Sequence, residues 1–359
     1  MDATTLRMIR RYEERAPATK FLMGFFQTPA ENFHTSEKVK VDIQRDGRDI
    51  AIAIKDLSMG PRHNDNSKWT SREIEPAIFD EEGAVKSWEL LKRQPGQDPF
   101  MDPNFVNNAM GDAFTLFSKL EAKVIRSVEL MCSQVLQTGK VTLVDSDGNA
   151  MYEVDFQSKD THFPTVTIPW HPEGSAGDPL GDLDDLGNVL RKHGMGTPRQ
   201  LVFGTSAWKR FVVNQEVKDQ LDNRRYELGR IQPSRRAPGA TFRGTIWIGN
   251  YEFEMWVYDG SYLAPDTGED TFYVSENNVI MLSEEARLDL TFGAIPLIRE
   301  PESVASRFLP PRISIAGRGT DLTTNAWISP DNKRLMVSAG SRPVPIPTAI
   351  DSFGCLTVA

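Results

Sequence analysis

The chain has 359 residues, 39% of them hydrophobic and 25% charged, and a formal net charge of −9. That length holds one large or two ordinary domains with rather lean cores. No apolar run is long enough to span a membrane, and the acidic balance argues against a sequence-specific nucleic-acid reader, which needs a basic face for phosphate.

Residues 1–35 read as an arm. The opening MDATTLRMIRRYEERAP is charged, lacks the apolar stretch of a secretory signal and predicts a short amphipathic helix. Phe21, Leu22, Met23, Phe25 and Phe26 then form a dense apolar knot. A segment this short cannot bury the knot alone, because the entropy of ordering it exceeds the local gain. The knot must dock on the body of the chain or on another subunit.

Residues 36–101 hold no evident core, since 24 of these 66 residues are charged. Val39, Val41 and Ile43 alternate with polar residues, Asp46-Gly47 marks a turn, and Ile50, Ile52 and Ile54 alternate on the return. The pattern predicts a two-stranded ribbon with one aliphatic face. Such a ribbon is marginal in water by itself, so its face needs a partner surface. Pro61, Pro76, Pro95 and Pro99 punctuate the path beyond, and the run from Phe79 to Arg93 predicts a helix.

A long amphipathic helix follows. Asp102 and Pro103 form an N-cap and first-turn pair. Met110, Phe114, Phe117, Leu120, Val124, Val128, Met131 and Val135 recur at steps of three and four residues, and Gly139 is the expected left-handed stop. At about 1.5 Å per residue the helix would reach about 50 Å. Ile125, Cys132 and Leu136 add a second apolar line, so this spine is expected to be covered on more than one side.

Beyond it, VTLVDSDGNAMYEVDF predicts a hairpin turning at Asp147-Gly148. The Gly/Pro-rich stretch 172–181 marks a joint, and DLDDLGNVLRKHG a short helix closed by Gly194. RQLVFG reads as a buried strand. TSAWKRFVVNQEVKDQLDNRR reads as one helix capped by Thr205 or Ser206. Residues 224–243, with six arginines among Gly, Pro and Ser, read as a mobile loop. The rest is strand-rich, with aromatic alternation at Tyr251, Phe253 and Met255 and a proline-punctuated, apolar C-terminus.

Chemistry-bearing residues are sparse. Asp178, Asp182, Asp184 and Asp185 near Glu173 are better explained as helix-opening acids than as a cation site, which sets aside a metal-dependent hydrolase. His162, His171 and His193 show no metal-ligand spacing and read as surface or loop residues. Cys132 and Cys355 read as buried, reduced thiols. No nucleophile elbow, phosphate loop or dinucleotide fingerprint occurs. No catalytic, cofactor-binding or metal residue is assigned, and no cofactor is expected.

The order of parts is more specific than any single motif. FFQTPAENFHTSEKVKVD leads into the ribbon, the spine ends VELMCSQVLQTGK, and VFGTSAWKRFVVNQEVKDQLDNRR follows the Gly-rich joint. This chain resembles the major capsid proteins of tailed bacteriophages, in particular the family of the phage lambda major head protein (capsid protein E). The resemblance runs from about Phe25 to Ala359. It implies an α+β, HK97-type capsid fold with an N-terminal arm (1–35), an extended E-loop (36–101), a peripheral domain on the spine (102–172 and 285–342) and an axial domain (173–284 and 343–359).

It further implies a non-enzymatic shell protein that assembles with itself as hexamers and pentamers into the icosahedral head enclosing the genome. The alternative is the shell of an encapsulin-like nanocompartment with the same fold. A separate scaffolding protein, a portal, a decoration protein and packaged double-stranded DNA without sequence-specific binding are implied partners. The implied location is the virion, with assembly in the host cytoplasm and no membrane association. Phe25, Phe26, Val39, Val41, Ile43, Ile50, Ile52, Ile54 and Trp69 are the residues expected to contact a neighbouring subunit. Some proteins of this fold crosslink a lysine to an asparagine of another subunit. Lys55, Lys68 and Lys86 lie in the E-loop, but no partner motif accompanies them and no crosslink is expected.

Overall fold

The computed structural model describes residues 18–34, 36, 38–44, 69–88, 105–170, 177–194, 196–221, 229–299, 312–316, 321–331 and 333–359. The arm contributes a 3-10 turn at Met23–Phe25 and β1 (Phe33–His34). Next come β2 (Val39–Gln44), β3 (Trp69–Ile74), β4 (Phe79–Lys86) and the spine helix α1 (Phe105–Thr138). After the spine lie β5 (Lys140–Val144), β6 (Ala150–Asp155), α2 (Pro179–His193), β7 (Pro198–Phe203), α3 (Thr205–Val213) and α4 (Gln215–Leu221). The remaining strands are β8 (Gly229–Ala237), β9 (Ala240–Ile248), β10 (Tyr251–Tyr258), β11 (Ser261–Leu263), β12 (Asp270–Phe272), β13 (Asn278–Ser283), β14 (Leu288–Gly293), β15 (Ile295–Arg299), β16 (Arg312–Ala316), β17 (Thr323–Ile328), β18 (Arg334–Ser341), β19 (Pro343–Pro347) and β20 (Phe353–Thr357).

A six-stranded sheet in the order β20-β13-β7-β10-β9-β8 is the centre of the molecule. Only β7 and β10 run parallel; the other pairs are antiparallel. Side chains alternate across a strand, and here both faces are covered. Leu201, Phe203, Met255, Val279 and Met281 join a core with Leu183, Leu186 and Leu190 of α2, Phe211 of α3 and Val217 of α4. Their neighbours Val202, Trp256, Tyr258, Ile280 and Leu282 join a second core with Val128, Met131, Cys132, Val135 and Leu136 of the spine and Leu22 and Phe26 of the arm. β13 reads as a nearly continuous apolar run because both of its faces are packed.

The spine stops at Gly139, whose φ of +69° is open to glycine without a side-chain clash. Its N–H closes the last turn on Val135 O at 2.8 Å. The β5–β6 hairpin turns at Asp147-Gly148 as the sequence indicates, with Asp145 Oδ1 accepting the amides of Asp147 and Asn149.

Four local expectations change. The run from Phe79 is a strand, not a helix. β4 pairs with β18 in the sheet β17-β18-β4, and Gly83 lets the strand approach Leu116 of the spine. Residues 79–86 of the polar stretch 36–101 are thus integrated into a sheet on the spine. The helix expected over 205–225 is two helices. The chain breaks at Asn214, whose Oδ1 accepts the amide of Glu216 at 2.9 Å, and Gly204 rather than a hydroxyl residue precedes α3. The arginine-rich stretch is not a loop over its described part, because 229–237 is the edge strand β8 paired to β9. Finally, the described partner of β2 is not the near return at 50–54. It is β3, with Val39 opposite Ile74, Val41 opposite Arg72 and Ile43 opposite Thr70.

A three-stranded sheet β1-β14-β19 ties the arm to the C-terminal segment, so β19 pairs with β14 rather than with the central sheet. β11–β12 and β15–β16 are separate two-stranded ladders.

Candidate functional site

The arm meets the spine in a built polar site. Glu129 is 0% exposed. It sits among apolar spine residues and would be costly there without partners. Its Oε1 accepts the backbone N–H of Leu22 at 2.8 Å and the Tyr258 hydroxyl at 2.9 Å, and its Oε2 accepts the N–H of Met23 at 2.9 Å. Because the single Tyr258 proton goes to Glu129, the Thr19 hydroxyl donates to Tyr258 at 2.6 Å. Burial pushes the Glu129 carboxyl above its ordinary value, while these hydrogen bonds pull it back. The Tyr258 hydroxyl is also raised by burial, with the Glu129 charge adding to it. One side chain thus joins arm, spine and central sheet.

Aromatic contacts reinforce the junction. Phe21 lies 5.3 Å from Trp256 and 5.1 Å from Tyr258, and Phe25 meets Phe21 edge-on at 5.2 Å. Just beyond, Gln27 N donates to Leu288 O at 2.8 Å and Leu290 N to Gln27 O at 2.9 Å. The arm is therefore held by a carboxylate first and by a strand ladder afterwards. Beside it opens a cleft of about 160 Å³, lined by Lys20, Met23, Val124, Val128, Phe292 and Leu322 among others.

A second polar hub sits about two spine turns further on. Gln137 Oε1 accepts Ser275 N and Asn278 Nδ2, each at 2.9 Å, and its Nε2 donates to Tyr273 O at 2.8 Å. Ser133 also donates to Tyr273 O. These bonds fix the spine's C-terminal end on the chain that enters β13.

The residues expected at subunit contacts fall into three groups. Phe26 is 6% exposed and Val39 5%, so both spend most of their apolar surface in their own subunit's core; Phe25 packs partly buried against the same cluster. The physical reason is the spine, which offers the arm a covering surface within the same chain. Val41 and Ile43 lie on β2 and Trp69 begins β3 opposite Gln44. Ile50, Ile52 and Ile54 fall outside the described residues, as do His171 and Glu173.

The apolar surface left open lies elsewhere. Phe114 on the spine is 73% exposed, and Trp327 and Ile328 stand exposed on the edge strand β17. Ile78 and Trp88 flank β4, also exposed, with the Lys86 ammonium 5.9 Å from the Trp88 ring. Sequence periodicity points to Phe114 as core; the edge strand carries no periodic signal.

The acids near residue 180 have structural partners. Asp178 Oδ1 caps α2 through Gly181 N at 2.8 Å, Asp182 accepts Trp170 Nε1 at 2.8 Å, and Asp184 accepts Asn188 Nδ2 at 3.0 Å. Among the described residues no group of His, Cys, Asp and Glu has the arrangement of a metal site. His162 corrects its expected place at the surface: it is 0% exposed, 5.5 Å from the His193 ring, and burial holds its pKa below the usual value. Cys132 and Cys355 are buried free thiols, and burial pushes the Cys355 thiol up to about 12. Arg243 stacks 5.6 Å over the Trp208 ring, an internal use for one arginine of the basic stretch. No helix among the described residues is long and apolar enough to cross a membrane.

Residues 4–358 match the family model for phage major capsid protein E. No curated protein sequence matches at a meaningful level. Among solved structures, a prophage protein of E. coli CFT073 assigned as its capsid protein is 16% identical with a TM-score of 0.58, over 82% of this chain and 80% of that one. A protein of Gordonia phage Cozz is 10% identical with a TM-score of 0.47, over 97% and 89%. The SrpI encapsulin of Synechococcus elongatus PCC 7942 is 10% identical with a TM-score of 0.44, over 100% and 96%.

Proposed function

The chain belongs to the phage major capsid protein E family, and we propose that each copy is a tile held in the shell by segments that leave its body. The fold is α+β and of the HK97 type, and the family function is that of a structural, self-assembling virion component. In this reading the spine with the β17-β18-β4 sheet is the peripheral unit and the six-stranded sheet the axial one. The β2–β3 ladder is the base of the E-loop.

The observation that carries the proposal is the register of that ladder. Gln44 and Trp69 face each other, so residues 45–68 begin and end side by side. At about 3.3 Å per residue they extend at most about 40 Å from that point and back. Val39 and Ile74, opposite one another at the other end, are buried at 5% and 8% in the body's core. The ladder is rooted at one end, and beyond the other end the sequence runs on to Ile50, Ile52 and Ile54. These isoleucines, with Val41, Ile43 and Trp69, are the proposed contacts on an adjacent copy in hexamers and pentamers. Strand addition and apolar burial would supply the adhesion. Scaffolding, portal and decoration proteins and packaged DNA are the partners proposed for such a head, with assembly in the host cytoplasm. No enzymatic step is assigned to the chain.

The test is to replace 45–68 by an Asn-Gly turn joining Gln44 to Trp69, which closes the ladder without touching β4. The expected product is a folded, soluble subunit with an unchanged thermal transition that forms no closed particles by electron microscopy and sedimentation. A normal particle yield would overturn the proposal. In parent particles, nucleic acid rather than protein cargo is the expected content.

A further inference from the structure

We propose that Glu129 is a latch that fixes the N-terminal arm to its own subunit. Releasing it, with the sheets and the spine still folded, withdraws Leu22 and Phe26 from the second core and frees segment 18–26 to reach a neighbouring copy. Three observations carry this. First, the carboxylate accepts two successive arm amides, Leu22 and Met23, one on each oxygen. These two bonds are set by backbone geometry, so they fix the path of the arm and not merely the position of one side chain. Second, the hold has a defined end. From Gln27 onward the arm is paired to β14 through backbone bonds that do not involve Glu129. A broken latch therefore frees residues before Gln27 and leaves those after it in place.

Third, packing at this seam is incomplete. A cleft of about 160 Å³ opens there, lined by Lys20 and Met23 of the arm and by Val124 and Val128 of the spine, among others. On the cleft side dispersion contacts are missing, so there the polar bonds carry the attachment, while Leu22 and the Phe21 ring pack on the other side. Tyr258 supports the latch by donating to Oε1, and Thr19 supports Tyr258 in turn. The arm thus contributes both ends of the network, Thr19 and Leu22–Met23, while spine and central sheet contribute the middle.

Glu129→Gln keeps the side-chain volume but turns one acceptor into a donor facing the Met23 N–H. Hydrogen exchange by mass spectrometry on the full chain reads the result. Amides of 21–26 are expected to lose about tenfold to hundredfold in protection, the range for losing a hydrogen bond to a charged group. Peptides from Gln27 onward and from β13 are expected to keep theirs. Tyr258→Phe, which keeps the ring beside Phe21, is expected to lose less, and it decides the matter if the glutamine variant does not fold. Unchanged exchange over 21–26, or a loss shared equally with β13, would overturn the latch. The link to a neighbouring copy rests on the shell reading, whereas the exchange experiment does not, so either can fail alone.

Discussion

The two ends of the spine helix have the same amphipathic pattern and opposite environments. From Val128 to Leu136 the helix is closed in on several sides, with Met131, Cys132, Val135 and Leu136 all 0% exposed. Near its start, Phe114 is 73% exposed although it stands on the same periodic stripe. Periodicity reports which face is apolar, not what covers it. At the C-terminal end the central sheet and the arm cover it within one chain. At the other end β4 and β18 cover one side, and Phe114 stands exposed on the stripe.

That contrast can be broken by mutation. Leu136→Ala at the closed end should cost about 3 kcal/mol, within the usual range for emptying a fully packed site. Chemical denaturation of free subunits would measure it. A cost below about 1 kcal/mol would mean the closed end is not packed as described. A smaller effect comes from His162, another group enclosed by its own chain. Its native pKa is depressed by burial below the ordinary 6.5. The unfolded chain therefore takes up that proton first, and stability is lost as pH falls from about 6.5 toward the native value. His162→Gln should flatten stability against pH in that window, equally in free subunits and in particles. A difference between the two would place His162 at a contact. Smallest is Phe114→Ser, expected to change the stability of a free subunit by no more than about 0.5 kcal/mol. Particle yield should fall all the same. Equal yields would mean that no neighbour uses this face.

How much of this was legible depends on the range of the interactions. The spine, its glycine stop and the β5–β6 hairpin are local and repetitive, and their residues alone mark them. β4 resists a local reading because FDEEGAVK has no clean alternation and its partner, 334–341, lies far along the chain. For β2 the nearest turn signal misleads, because its ladder partner begins only at Trp69. β8 looked like a loop because of Pro233, which lies where the register to β9 shifts, between Ile231 and Ser234; an edge strand tolerates proline at such a bulge.

The arm–spine site could have been found. Ile125, Cys132 and Leu136 form a second apolar line, and the place between the first two on that line, four residues after Ile125, is occupied by Glu129. A charge inside an apolar stripe predicts a dedicated partner. Nothing in the residues alone says that the partner is the backbone of Leu22 and Met23.

One consequence follows from β19. Its sequence is Pro-Val-Pro-Ile-Pro, and it is the outer strand of its sheet. Val344 and Ile346 stand opposite Thr291 and Asp289. The carbonyls of Arg342 and Val344 point inward, accepting from Gly293 N and the Thr291 hydroxyl, so the three prolines fall on the outward phase. That edge carries carbonyls but no amide hydrogens, and all of Pro343–Pro347 is buried. The sheet therefore ends inside its own subunit, and the prolines close that buried edge without stranding a single unpaired amide there.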